Sequence, residues 1–267
     1  MIRALPRELP PTAGLPLQAS DFIPGSGRLE QRLAAQLQTA PMQLECSGTS
    51  ALLIALRTLQ QLQPQRSVVV VPAYTCPLVA IAVHSLGLQL RLCDLRRDHF
   101  DLDPQALAAA CDDSTLAIIP THLGGRVADV EQACRIAHRV GAYVIEDAAQ
   151  ALGAFDRGQS VGLRGDIGFF SLAAGKGLSI FEGGLLLARE PLLRAALQQT
   201  ADNQVRRKPG WELRRWAELL GLAACYRPAL LPLVYGRPLR RELQRGNPEH
   251  AVGDVFPLSI PQHRVSR

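Results

Sequence analysis

From Leu29 the apolar residues recur at Leu29, Leu33 and Leu37, a spacing of four that lines one face of a helix. The stretch before it is rich in Pro and Gly and predicts an irregular arm. Beyond Cys46, Ser47-Gly48-Thr49-Ser50 leads into Ala51 to Leu62, a run of Ala, Leu, Ile and Gln that ends at Pro64; this composition favours helix, and the proline is a stop signal. Ser67 to Val71 is a β-branched run closed by Pro72, Pro77 to Leu86 has helical composition, and Leu88 to Cys93 alternates before Asp94. That is a strand, helix, strand unit. The alternation continues through strand 116–120, helix 129–140 and strands 143–146, 167–171 and 184–188. It predicts an α/β fold with a mostly parallel or mixed sheet between helices. Ligands in that architecture sit beyond the carboxyl ends of the strands.

Leu219 to Tyr235 is the longest apolar stretch, but Arg227, Pro228 and Pro232 interrupt it. A transmembrane span is therefore not expected, and the segment reads as a buried or partner-facing helix pair, with peripheral membrane contact as the alternative. The N-terminus carries Arg3, Pro6, Arg7 and Glu8 and has no apolar core of a secretory signal. The chain has 267 residues and a formal charge of +5, which raises the question of a nucleic-acid partner. Its basic residues are dispersed and do not interleave with aromatics, so no nucleic acid is expected. Six cysteines, at 46, 76, 93, 111, 134 and 225, form no C-x-x-C pair and have no histidine at zinc spacing. No metal is expected, and scattered buried thiols in a reducing cytoplasm are the simplest reading.

Four stretches at strand-to-loop junctions carry candidate chemistry. Gly48-Thr49-Ser50 opens a helix, where free N–H groups and the dipole attract phosphate; the same residues also suit a plain N-cap. Tyr74, after Pro72, presents a ring able to lie flat on a heteroaromatic ligand, or to serve as a core aromatic. Glu146-Asp147 ends an apolar strand, so one of the two carboxylates points inward and needs a cation to stay charged. A protonated pyridine nitrogen is such a cation, Gln150 stands three residues on, and helix capping by Asp147 is the alternative. Lys176 follows a strand among small residues and is one of only two lysines, with Lys208. Partly buried lysines form Schiff bases.

These blocks, in this order, resemble the DegT/DnrJ/StrS aminotransferases, pyridoxal-phosphate (PLP) enzymes of the aspartate-aminotransferase superfamily (fold type I). The resemblance runs through Cys46-Ser47-Gly48-Thr49-Ser50-Ala51-Leu52, Val71-Pro72-Ala73-Tyr74-Thr75, Ile119-Pro120-Thr121-His122-Leu123-Gly124-Gly125, Glu146-Asp147-Ala148-Ala149-Gln150, and Gly165-Asp166 to Ser171, Lys176 and Gly183-Gly184. It implies a PLP-dependent transferase-like large domain over 1–235, with an incomplete C-terminal small domain begun by 236–267.

The resemblance also implies that Lys176 forms the imine with PLP and shuttles protons, and that Asp147 pairs with the pyridinium nitrogen. Gln150 would contact the ring hydroxyl and Tyr74 would stack on the ring. Gly48, Thr49, Ser50 and Ser171 would bind the phosphate, and His122 would lie near the cofactor or serve as a structural hydrogen-bond partner. The implied activity is transfer of an amino group from a donor such as glutamate to a keto sugar of the nucleotide-linked kind, by a cytoplasmic homodimer in sugar or polysaccharide biosynthesis. A non-catalytic PLP-fold protein with a binding or assembly role and a PLP-dependent sugar dehydratase are the alternatives. Relatives that dehydrate carry histidine in place of the lysine, so Lys176 argues against the last.

Overall fold

The computed structural model describes residues 17–18, 22–23, 28–173, 175–176, 178, 182–227, 229–252, 256 and 258–265. The chain divides into two compact units, one of Gly27–Arg207 with Leu258–Val265 and one of Met1–Ser26 with Lys208–Pro257. The division after Arg207 differs from the boundary that the sequence suggested at residue 235.

The first unit begins with α1 (Leu29–Gln36), β1 (Gln43–Glu45), α2 (Gly48–Leu62), β2 (Val68–Pro72), α3 (Pro77–Ser85), β3 (Gln89–Cys93), α4 (Pro104–Ala110) and β4 (Thr115–Ile118). It continues through α5 (Val130–Arg139), β5 (Tyr143–Asp147), the small hairpin β6 (Phe155–Asp156) and β7 (Gln159–Ser160), β8 (Ile167–Ser171), β9 (Gly184–Ala188) and α6 (Pro191–Gln204). Seven strands form one sheet in the order β1-β9-β8-β5-β4-β2-β3. The run from β3 to β8 is parallel, and β9 pairs antiparallel with both β8 and β1. This is the mostly parallel mixed sheet that the alternation predicted.

Strand period two distributes the core. Val69 and Val71 of β2 pack with α2, α3 and α6 on one face, whereas Val68 and Val70 pack with α4 and α5 on the other. With both faces covered, a continuous valine run is what β2 requires. Helix α2 fills the centre: Leu52, Ile54, Leu56 and Leu59 are all fully or almost fully buried, each worth about 2 kcal/mol against exposure. Its start is fixed by the Ser47 hydroxyl, which accepts from Ser50 N at 3.0 Å, so the N-cap is the residue before the Gly48-Thr49-Ser50 run. All six cysteines are free, but only Cys46 and Cys93 are buried; Cys76 and Cys225 are exposed. The expectation of uniformly buried thiols fails because Cys76 and Cys225 lie at the ends of helices rather than under the sheet.

The second unit contains α7 (Pro209–Cys225), a π-helical turn over Pro232–Gly236, α8 (Arg237–Gln244) and α9 (Pro248–Val252). Leu220, Leu230, Leu233 and Val234 are exposed, so the apolar stretch 219–235 is only sparingly buried.

Candidate active site

The parallel strands end together on one side of the sheet, and the predicted residues lie on the loops that leave them. β5 places two adjacent carboxylates, and successive strand residues point to opposite faces. Glu146 is fully buried and occupied. Its Oε2 accepts from Gly162 N at 2.8 Å and from His122 at 3.0 Å, and its Oε1 accepts from Gly165 N at 2.5 Å and from Arg164 N. Four donors on two oxygens make it an anchor for the 162–165 loop. Asp147 is also buried, at 4% exposure, but less engaged: Oδ1 accepts from Ala149 N at 3.0 Å, and the other oxygen makes no hydrogen bond among the described residues. Burial pushes its pKa up, opposed by the Ala149 N–H and by the neighbouring His122 and Lys176 side chains. Asp147 is thus the carboxylate that awaits a cation.

His122 is fully buried and its hydrogen bonds fix its tautomer. Ala128 N donates to Nδ1 at 3.0 Å, so the ring proton sits on Nε2 and is donated to Glu146 Oε2 at 3.0 Å. A backbone N–H has no choice of role, which makes this assignment firm. The His122 N–H in turn bonds the Asp147 carbonyl at 2.9 Å, and Asp147 N bonds the Pro120 carbonyl at 2.9 Å. The 120–122 segment therefore runs alongside the end of β5 and sets where Asp147 points. Gln150 Oε1 accepts from Gly124 N at 2.8 Å, tying the loop after β5 to the same segment and leaving the amide NH2 without a partner among the described residues.

Helix α2 starts against the end of β8. A Cβ built at Gly48 would lie 3.1 Å from Ser171 Cβ and 3.4 Å from the Phe170 carbonyl, and one at Gly184 would collide with the Ser47 carbonyl. Glycine at both positions lets three chain segments meet. The N–H groups of Gly48 and Thr49 have no carbonyl within the helix to bond, so they form, with the half-buried Thr49 and Ser171 side chains, a small polar cradle. Ser50 departs from this group: its side chain is fully buried and its N–H is taken by Ser47. Tyr74 is exposed and stacks on Phe100, centroids 6.3 Å apart, with the Arg126 guanidinium 6.0 Å from the Phe100 ring centre. Lys176 is half-buried, and its N–H bonds the Ala173 carbonyl at 3.2 Å.

Sequence reasoning missed Glu146 as the structural partner of His122 and Phe100 as the partner of Tyr74. The first had a signal in the Glu-Asp pair, because strand alternation requires the two to differ. The second had none, since Phe100 stands in a connection between β3 and α4.

The described cradle, carboxylate and lysine can be set beside known proteins. A family model, the DegT/DnrJ/EryC1/StrS aminotransferase family, matches residues 21–223. The chain is 42% identical over 156 residues to protein MosB of Rhizobium meliloti, covering 58% of this chain and 30% of that one. It is 36% identical over 185 residues to a UDP-N-acetyl-3-dehydro-alpha-D-glucosamine 3-aminotransferase of Acidithiobacillus ferrooxidans, covering 68% and 50%. Among solved structures, a putative sugar aminotransferase of Streptococcus pneumoniae in its PLP form superposes with a TM-score of 0.59 at 26% identity, covering 64% and 48%. The chain thus spans about a third to a half of the length of these relatives.

Proposed function

Because the chain belongs to the DegT/DnrJ/EryC1/StrS aminotransferase family, we propose that it carries the cofactor-binding part of a PLP-dependent aminotransferase that moves an amino group from a donor such as glutamate to a keto sugar, nucleotide-linked as the name of the UDP-sugar relative suggests. The observation that carries this reading is Asp147, a buried carboxylate with one oxygen uncommitted among the described residues and a pKa that burial raises and Lys176 in part lowers.

The residues present fit PLP. A flat anionic ring needs a phosphate seat, a carboxylate for its nitrogen and a lysine. The Gly48–Thr49 N–H groups with Thr49 and Ser171 supply the first, Asp147 the second and Lys176 the third. When bound, PLP supplies an electron sink for the carbon that bears the migrating amino group. Asp147 holds a proton on the ring nitrogen, and burial strengthens that pairing because the carboxylate has little water to compete. Lys176 Nζ attaches the cofactor and moves a proton at the reacting carbon. Gln150 is held through Oε1, so its amide NH2 faces away as a donor to a ring oxygen. His122 and Glu146 position the Asp147 backbone and touch no reacting atom in this reading. Tyr74, exposed and stacked on Phe100, would close one side of the ring. Ser50 gives its backbone N–H to the Ser47 cap, and its buried hydroxyl has no hydrogen-bond partner among the described residues.

The protein acts as a cytoplasmic homodimer in this proposal, since six free thiols suit a reducing compartment and sites of this family's kind are shared between subunits. Borohydride reduction of the PLP-loaded chain, followed by peptide mapping, tests the core of the reading. Label on Lys176, lost in Lys176→Ala with the far-UV spectrum unchanged, is the expected result. Label on Lys208, or none, would overturn it. Mass detection of aminated product from glutamate and a panel of nucleotide keto sugars tests the substrate class.

A further inference from the structure

Helix α7 carries an exposed apolar stripe. Taking 100° per residue, Leu213, Trp216, Ala217, Leu220 and Ala224 fall within an arc of about 100°, and all are exposed, Leu213 at 74%, Trp216 at 51% and Leu220 at 55%. The charged residues Glu212, Arg215 and Glu218 share the half-buried side with Trp211, Leu219 and Leu222, and Glu218 there accepts from Arg214 at 2.8 Å and from Arg215 at 2.9 Å. A surface helix of a soluble domain normally buries its apolar stripe. The apolar surface extends beyond the helix. Phe22 lies 6.4 Å, centroid to centroid, from Trp216 with exposed Ile23 beside it in sequence, and Leu230, Leu233 and Val234 are exposed in the turn before α8. An apolar patch of this kind marks a contact site.

The charge around it identifies what it contacts. Residues 208–257 carry eight basic against five acidic side chains, and exposed Arg214, Arg227, Arg237, Arg241 and Arg245 accompany the apolar positions. Both tryptophans of the chain, Trp211 and Trp216, and two of its four tyrosines, Tyr226 and Tyr235, lie in the same segment. Tryptophan and tyrosine favour the headgroup level of a bilayer, leucine its acyl boundary, and arginine its anionic phosphates. A second copy of the chain fits less well, because a two-fold contact through this segment would bring two net-basic segments together. No helix among the described residues is long and apolar enough to cross a membrane, and a helix of 17 residues with an exposed stripe suits the surface instead.

We propose that the α7–α8 segment docks the protein on an anionic lipid bilayer, with Leu213, Trp216 and Leu220 in the acyl boundary and the arginines on the headgroups. The proposal does not depend on the aminotransferase reading, and its test involves no PLP.

The test is co-sedimentation of the whole chain with vesicles of equal parts phosphatidylglycerol and phosphatidylcholine, or of phosphatidylcholine alone. Binding to the anionic vesicles should exceed binding to the neutral ones at least tenfold and weaken in high salt. The double variant Trp216→Ser, Leu220→Ser should lose at least tenfold of it, with an unchanged far-UV spectrum, because both side chains are exposed. The variant Arg237→Ala, Arg241→Ala should also bind less while leaving the apolar stripe intact. Equal binding to both vesicles, or binding that survives the Trp216 and Leu220 changes, overturns the proposal. So does a failure to bind vesicles together with a dimer that dissociates in the double variant, which would assign the stripe to a second copy.

Discussion

Replacing Glu45 by glutamine should stabilise the protein at alkaline pH and leave it nearly unchanged in acid. Glu45 ends β1, is 4% exposed, and has Oε1 2.5 Å from Gln43 Nε2. Burial raises its pKa from 4.5 to about 7, opposed by the Gln43 hydrogen bond and by Arg264, with Asp202 adding to the rise. It lines a cavity of about 660 Å3 together with Arg28, Glu30, Asp202 and Arg264, of which Arg264 is paired with Asp202 at 2.6 Å. Since the folded pKa is raised, the native state holds the proton that the unfolded chain has released. The associated stability is fully present below about pH 4.5 and is lost as pH rises to about 7. A tenfold difference in proton affinity between the folded and unfolded chain is worth roughly 1.4 kcal/mol. The group's full penalty is therefore on the order of 3 kcal/mol at pH 8 and below about 1 kcal/mol at pH 5. Glu45→Gln keeps an acceptor for Gln43 and removes the titration. The variant-minus-parent difference in unfolding free energy should accordingly grow by about 2 kcal/mol between pH 5 and pH 8. Urea unfolding followed by far-UV circular dichroism measures it; tryptophan fluorescence does not suit, because Trp211 and Trp216 both belong to the other unit. A difference that stays constant with pH, or that shrinks toward pH 8, would refute the assignment of a raised pKa to Glu45.

Other outcomes follow from the same geometry. Asp147→Asn should retain PLP by absorbance but transaminate at a small fraction of the parent rate, because an amide cannot hold the ring nitrogen protonated; near-normal turnover would remove Asp147 from that role. Gly48→Ala should cost about 1 kcal/mol in urea unfolding and weaken PLP binding in a fluorescence titration, since its Cβ would press on Ser171 Cβ at 3.1 Å; unchanged affinity would place the phosphate elsewhere. Glu146→Gln should destabilise the fold by about 3 kcal/mol in the same assay, because an NH2 would face donors that now converge on a carboxylate.

Much of the sheet was legible because buried parallel strands are short β-branched runs bounded by turn residues, as Val68 to Val71 closed by Pro72 shows. β1 was not, since three residues, Gln43-Leu44-Glu45, carry no periodicity and become a strand only by pairing with β9. Helices α4 and α6 went unassigned although each announces itself: Asp103 caps the first ahead of Pro104, and Glu190 caps the second ahead of Pro191. At the candidate site, the positions of Lys176, Asp147 and Gly48 follow from strand ends, which sequence marks well. The orientation of Ser50 does not, because the hydroxyl of an N-cap sequence is exposed or buried according to what the helix packs against.

Glu146-Asp147 and α7 illustrate one limit from two sides. Strand alternation says that two adjacent acids face opposite ways, but the choice of inner acid comes from tertiary donors: the 162–165 loop and His122 bring N–H groups to Glu146 and leave Asp147 the uncommitted oxygen. In α7 the apolar period is equally plain in the sequence, yet a period defines a stripe and not the side on which water lies. Hydrophobic patterning specifies what must leave water, whereas the partner that removes it is specified by packing or, for Leu213, Trp216 and Leu220, by a surface outside the chain. The two features therefore call for different measurements: the carboxylate's role is read from hydrogen bonds already formed, and the stripe's role from binding that removes it from water.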